Sequence, residues 1–126
     1  MKKNKMILSS LNRTWIFDLD GTICIHNGYK IFGEDKIINE AKKFLDNIDI
    51  NDMIIFVTSR KSEYKEQTEE FLKKNKIRYN YIIYDAPYGE RIVINDKKKS
   101  GLKTAYAINI ERDVFPSIEI SIDEKL

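Results

Sequence analysis

Apolar residues in this chain fall into short runs separated by polar, Gly- and Pro-bearing punctuation, and the period of each run predicts an element. The run Thr14–Phe17 is β-branched and aromatic, and Gly21 breaks the chain behind it, so a short buried strand is expected to end just before Asp18. Strand-like residues flank Asn27-Gly28, a turn dipeptide, and a β-hairpin is expected over residues 23–32. Ile37, Ile38, Ala41, Phe44, Leu45 and Ile48 recur at helical spacing, which predicts a helix over 34–47. Met53–Val57 is continuously apolar, as in a parallel strand buried on both faces. A second helix is expected over 62–75, with Ser62 as N-cap, Glu63 in the first turn and Lys73-Lys74 in the last. Its inward positions are Tyr64, Thr68, Phe71 and Leu72. Further strands are expected over 81–84, 91–94, 104–110 and 117–122, the last alternating as an edge strand does.

Strands that alternate with helices predict an α/β fold, a three-layer α/β/α sandwich around a mainly parallel sheet. The 126 residues suit a single domain over 1–126, and 42% hydrophobic with 33% charged residues suits a folded globule. A net charge of +2 with mixed signs demands neither nucleic acid nor an anionic membrane as partner. Cys24 has no second cysteine to pair with, which fits a reducing, cytoplasmic setting. Residues 1–13 read as a loosely packed lead-in, too weakly apolar for a signal peptide, and no stretch approaches a membrane span.

The chemistry concentrates at Asp18-Leu19-Asp20-Gly21-Thr22. Residues two apart on an extended backbone face the same side, so the two carboxylates meet one site at the strand's end. That edge of an α/β sheet is where ligands bind. Crowded carboxylates need a proton or a cation, and Mg²⁺ with its oxygen preference suits such a pair. His26 stands alone in the hairpin turn, where it reads as an exposed turn residue rather than a metal ligand.

Phe17-Asp18-Leu19-Asp20-Gly21-Thr22 resembles the first motif of the haloacid dehalogenase (HAD) superfamily, whose commonest members are Mg²⁺-dependent phosphatases. The resemblance implies a HAD-like Rossmannoid fold and assigns roles by position. Asp18 would be nucleophile and metal ligand. Asp20 would be the general acid/base, its backbone carbonyl also reaching the metal. Gly21 and Thr22 would line the substrate loop. An apolar strand ending in Thr58 is similar to the second motif, with its hydroxyl and the following amides holding phosphoryl oxygens, and Ser59 and Arg60 adding substrate contacts. Asn95-Asp96, after residues 91–94, is similar to the last motif, which implies Asp96 as the third metal anchor, with the Asn95 amide oxygen as a further ligand or as a group that positions metal-bound water.

One departure is clear. The family's lysine, which often precedes a proline upstream of the last motif, is replaced here by Ala86-Pro87. Arg91 is the first candidate for the missing cation, ahead of Lys97 and Lys76. There is also no room for a cap domain, so the site is expected to be open, with the 23–32 hairpin as a lid or a contact for a homo-oligomer. The implied activity is hydrolysis of a phosphomonoester through an aspartyl-phosphate, with a small phosphorylated metabolite such as a sugar phosphate as substrate. A similar look belongs to small capless phosphatases of bacterial sugar-phosphate and surface-polysaccharide pathways. The alternative is a weakened HAD-like domain that binds a phosphorylated ligand or protein without turnover. A signalling receiver domain fits less well, because its phosphorylated aspartate lies on a mid-chain strand.

Overall fold

β-branched and aromatic side chains build the strands, and within each sheet every strand pairing is parallel. A computed structural model describes residues 4–126. The protein is mixed α/β, with elements in the order β1 (Asn4–Leu8), β2 (Thr14–Phe17), α1 (Gly28–Ile31), α2 (Asn39–Asp46), β3 (Met53–Val57), α3 (Lys65–Lys74), β4 (Tyr81–Ile83) and β5 (Ile118–Ile122). Two small sheets form, β2-β3-β4 and β1-β5. Among the described residues, no helix is long and apolar enough to cross a membrane.

The residues group into two compact units, one made of Asn12–Tyr88 with Glu111–Phe115, the other of residues 4–11, Gly89–Ile110 and Pro116–Leu126. In the larger unit, Phe17 pairs with Phe56 and Val57 with Ile83 across parallel strands in sequential order. Right-handed crossovers in that order bring α2 and α3 to the same face of the sheet. The burial pattern agrees. Phe17, Ile54 and Phe56 are buried, whereas Ile16, Tyr81 and Ile83 on the opposite face are more than half exposed. In β3 itself Ile54 and Phe56 are fully buried, Ile55 and Val57 on the opposite face are half-buried and Met53 is exposed, so the run is covered more completely on one face than on the other. Trp15 and Phe17 meet Phe44 of α2 edge-on, and Phe115 packs against the same ring with centroids 5.3 Å apart. Ala41 and Leu72 are fully enclosed, and Thr68 nearly so, as the helical periodicity predicted for α2 and α3.

The N-terminal edge of this sheet is pinned by Asp52, just ahead of β3. Its carboxylate accepts hydrogen bonds from Asn12 Nδ2 (2.8 Å), the Arg13 backbone N–H (3.1 Å) and Trp15 Nε1 (3.0 Å). Asn80, ahead of β4, accepts from the Ile54 N–H through its side chain and donates its own N–H to the Ile54 carbonyl. Polar side chains thus fix the strand register at the N-terminal edge of the sheet.

Several expected elements take another form. The 23–32 hairpin does not form. Ile23 and Ile25 instead exchange backbone hydrogen bonds with Ile38 and Lys36, and Cys24 bridges Ile37 antiparallel. Asn27 adopts a left-handed backbone (φ 55°) that opens the single turn α1 rather than a tight hairpin. The same pairing holds residues 36–38 extended and delays the helix expected from 34 until Asn39. The helix expected over 62–75 begins as a 3₁₀ turn, Ser62–Tyr64, before α3.

In the smaller unit, the strands expected over 91–94 and 104–110 are coil, and Ile92, Val93 and Ile94 are exposed. Strand propensity alone does not make a strand where no neighbouring strand runs in register with the segment. Residues 4–8 of the expected lead-in do the reverse: β1 pairs with β5 from Asn4↔Ile118 to Leu8↔Ile122, burying Met6 and Leu8. The first three residues of that lead-in lie outside the described residues.

Burial raises the pKa of Asp52, but its hydrogen bonds from Asn12, Trp15 and Arg13, with the charge of Arg13, outweigh burial and hold the carboxyl below the usual carboxylate value. A depressed folded pKa contributes stability that is complete above the unfolded value, about pH 4, and is lost as pH falls through the lowered folded value. Asp52→Ala leaves the Asn12, Arg13 and Trp15 donors without their acceptor and should cost about 2 kcal/mol near neutral pH. Urea midpoints of the variant and the parent should converge below about pH 4; a gap that persists unchanged into acid would contradict the role given to this carboxylate.

Candidate functional site

The acidic loop begins where β2 ends. Leu19 is buried, and its carbonyl accepts from the N–H groups of Thr22, Ile23 and Cys24, which winds the chain into a compact turn. Gly21 closes it at φ 84°, donating its N–H to the Cys24 carbonyl at 2.7 Å. A side chain at Gly21 would be strained in that conformation, and a Cβ there would lie 3.2 Å from Arg112 Cγ. The Gly21 carbonyl accepts from the Asp113 N–H at 2.8 Å, and Asp113 Oδ1 accepts from the His26 N–H at 2.7 Å. His26 is thus half-buried and held through its backbone.

Thr58 ends β3 beside this loop. Its N–H donates to the Ile83 carbonyl, its carbonyl accepts from the Ala86 N–H, and its hydroxyl oxygen accepts from the Arg60 N–H at 3.1 Å. The hydroxyl thereby shapes the turn that aims Arg60 inward. Ser59 Oγ donates to the Pro87 carbonyl at 3.3 Å, which ties this turn to the loop after β4.

Arg60 is the centre of the arrangement. Its Nε and Nη2 fork onto Asp20, with Nε···Oδ2 and Nη2···Oδ1 both 2.9 Å. Nη2 and Nη1 also donate to Asp35 at 2.6 and 3.0 Å, and Nη1 donates to Thr68 Oγ1 at 3.0 Å. These bonds engage all five N–H donors of an arginine. The Tyr29 ring covers the guanidinium, its centroid 4.5 Å from Cζ. The side chains of Arg60 and Asp35 are 2% and 1% exposed, so this is a buried pair. Burial disfavours the arginine's charge, but hydrogen bonds to Asp20 and Asp35 more than offset it and hold the guanidinium above its usual range. Burial likewise pushes the Cys24 thiol up, with Arg60 opposing and the aspartates reinforcing, so Cys24 is an inert neutral thiol here.

Ligand atoms of Asp20, Cys24 and Asp35 lie within 4.8 Å of one another, the spacing of a metal cluster. The same atoms face Arg60 Nη2, with Cys24 Sγ 3.4 Å away. The guanidinium takes the place of a cation there, and a soft thiol suits Mg²⁺ poorly.

The expected residues therefore divide into groups. Asp18, Asp20, Gly21, Thr22, Thr58, Ser59 and Arg60 share the larger unit, at the C-terminal ends of β2 and β3. Arg60 spends its donors on Asp20, Asp35 and Thr68, so its geometry is that of a residue holding Asp20 rather than one reaching a substrate. Arg91, Asn95 and Asp96 belong to the smaller unit, exposed in coil, where the Asp96 carbonyl accepts from Thr104 Oγ1. Asp35, Tyr29 and Asp113 are residues the sequence pattern missed. Asp35 and Tyr29 carry no motif and read as part of a helix face and a hairpin arm. Only Asp113, a non-glycine residue at φ 67°, has unusual backbone, and that is visible only in three dimensions.

Removing one partner of a buried ion pair leaves an uncompensated charge, at a cost of about 3–5 kcal/mol. Asp35→Ala should lose about that much stability, read as a lower urea midpoint with an unchanged slope. Arg60→Lys should be nearly as damaging, because an ammonium cannot fork onto Asp20 while meeting Asp35 and Thr68. An Arg60→Lys variant as stable as the parent would show that charge alone, not the fork, holds the loop.

No protein-family model matches the chain, and no curated protein matches it. Among solved structures, it is similar to a chain of the Pnkp1/Rnl/Hen1 complex, with a TM-score of 0.53 and 27% identity over 66% of this chain. The aligned part is 31% of that chain, so this protein spans about a third of the length of the structure it resembles.

Proposed function

We propose that this protein is a HAD-type phosphomonoester hydrolase that works through an aspartyl-phosphate with Mg²⁺ as cofactor. In this reading the β2-β3-β4 sheet is the centre of a three-layer HAD-like sandwich without a cap. The observation that carries the reading is the register of two neighbouring strands. Phe17 lies opposite Phe56, so the Asp18 loop and Thr58 leave the sheet side by side at one edge. A nucleophilic carboxylate, a second carboxylate two residues on and a hydroxyl-bearing turn are the parts that phosphoryl transfer needs in one place.

The Asp18 carboxylate attacks phosphorus, and the ester P–O bond breaks as the acyl phosphate forms. Asp20 gives a proton to the leaving oxygen, then takes one from the water that cleaves the intermediate. Arg60 keeps the Asp20 carboxyl aimed at that point, and for the acid step one Asp20 oxygen exchanges its Arg60 bond for a proton. The Gly21, Thr22, Thr58 and Arg60 N–H groups build the turns themselves, so the Leu19 and Asp20 N–H groups are the ones that orient the phosphoryl oxygens. Mg²⁺, held by the Asp18 carboxylate and the Asp20 carbonyl, would neutralise charge on the transferring group. A small phosphorylated metabolite, such as a sugar phosphate, is the proposed substrate.

A second reading is a domain that binds a phosphorylated ligand without turnover. The Arg60 fork favours it, since both Asp20 oxygens are engaged. Phosphate release from sugar phosphates, nucleotides and an aryl phosphate, with and without Mg²⁺, separates the two. The hydrolase reading expects Mg²⁺-dependent release that falls to background in Asp18→Asn, with the urea midpoint of that variant unchanged. Release that survives in Asp18→Asn would remove Asp18 as nucleophile, and silence from a folded parent would leave the binding domain.

A further inference from the structure

A phosphoryl dianion beside two aspartates needs a cation with donors to spare. Arg60 has none, because its five donors are engaged by Asp20, Asp35 and Thr68. We infer that Arg112 supplies this cation, an assignment that rests on the phosphatase reading and extends it.

The short segment Glu111–Phe115 belongs to the larger unit, although the chain on both sides of it belongs to the smaller one. Three contacts dock it there. The Asp113 N–H donates to the Gly21 carbonyl at 2.8 Å, and the Asp113 carboxylate accepts from the His26 N–H at 2.7 Å. Phe115 is buried against Phe44. Asp113 holds a left-handed backbone, φ 67°, a conformation that aspartate tolerates better than most non-glycine residues. The result is that Arg112 Cγ lies on the face of Gly21, at 3.2 Å from where a Cβ would be. A Cβ at Gly21 would crowd this arginine stem by a few tenths of an ångström. Arg112 is exposed, and its guanidinium makes no hydrogen bond or ion pair with another described residue. With its stem anchored at Gly21, an arginine is within reach of the acidic turn, and its guanidinium is the planar fork that binds two phosphate oxygens together.

Arg112→Met keeps the apolar stem and removes the charge, and Arg112→Lys restores charge without the fork. The assignment expects Arg112→Met to lower kcat/KM for Mg²⁺-dependent phosphate release at least tenfold, with the urea midpoint unchanged. Arg112→Lys should recover part of the loss, and added guanidinium ion should partly rescue Arg112→Met. Inorganic phosphate, titrated calorimetrically, should bind the parent and bind Arg112→Met at least tenfold more weakly. Release by Arg112→Met within twofold of an active parent would overturn the assignment and leave the phosphatase reading standing. A parent that releases nothing would overturn the phosphatase reading, and phosphate titration then decides for Arg112 alone. Binding that weakens in Arg112→Met supports it, while equal binding, or none by the parent, overturns it.

Discussion

Taking a guanidinium out of water costs several kcal/mol even after the protein relaxes, and only well-placed partners return that energy. Arg60 meets this condition through both oxygens of Asp20, both oxygens of Asp35, the Thr68 hydroxyl and the Tyr29 ring. Those partners come from four places: the turn after β2, the turn α1, the extended stretch before α2, and the middle of α3. One buried cation therefore sets the position of the acidic loop and of the excursion between residues 25 and 36. Two carboxylates and one guanidinium leave the cluster with a formal charge of −1.

The two edges of the β2-β3-β4 sheet divide the labour. At the N-terminal edge, Asp52, Asn80 and their partners fix which residue faces which. At the C-terminal edge the strands stop at Phe17 and Val57, and their carbonyls and N–H groups are handed to turns. Parallel strands all end on the same side, which is why residues forty positions apart in sequence, Asp20 and Arg60, meet there. Gly21 links the acidic loop to Glu111–Phe115 by the same economy: its left-handed backbone turns the chain, and its bare Cα leaves the Arg112 stem uncrowded.

Much of this was legible because it depends on local pattern. The β-branched run before Asp18, the apolar run before Thr58 and the helical spacing of Ala41 and Leu45 or Thr68 and Leu72 each specify an element on their own. The Asn27-Gly28 hairpin failed because turn chemistry proposes a reversal but does not choose the partner, and Ile23–Ile25 found residues 36–38 instead. Residues 91–94 failed for a related reason: their composition is as strand-like as that of β4, yet no neighbour takes up their backbone bonds as a strand. Residues 4–8 carried a weak signal and became a strand, because β5 lies alongside.

The sequence by itself determined the short strands, the amphipathic helices and the acidic turn after Phe17, since each follows from residues within a few positions of one another. Tertiary structure alone decided what surrounds that turn. A buried arginine, its second aspartate and the docked Glu111–Phe115 segment meet through contacts between residues 25 to 92 positions apart, and no local period or propensity encodes such contacts. The pairing of a charge with its neutralising partner is a property of packed space, so it became readable only once the chain was folded.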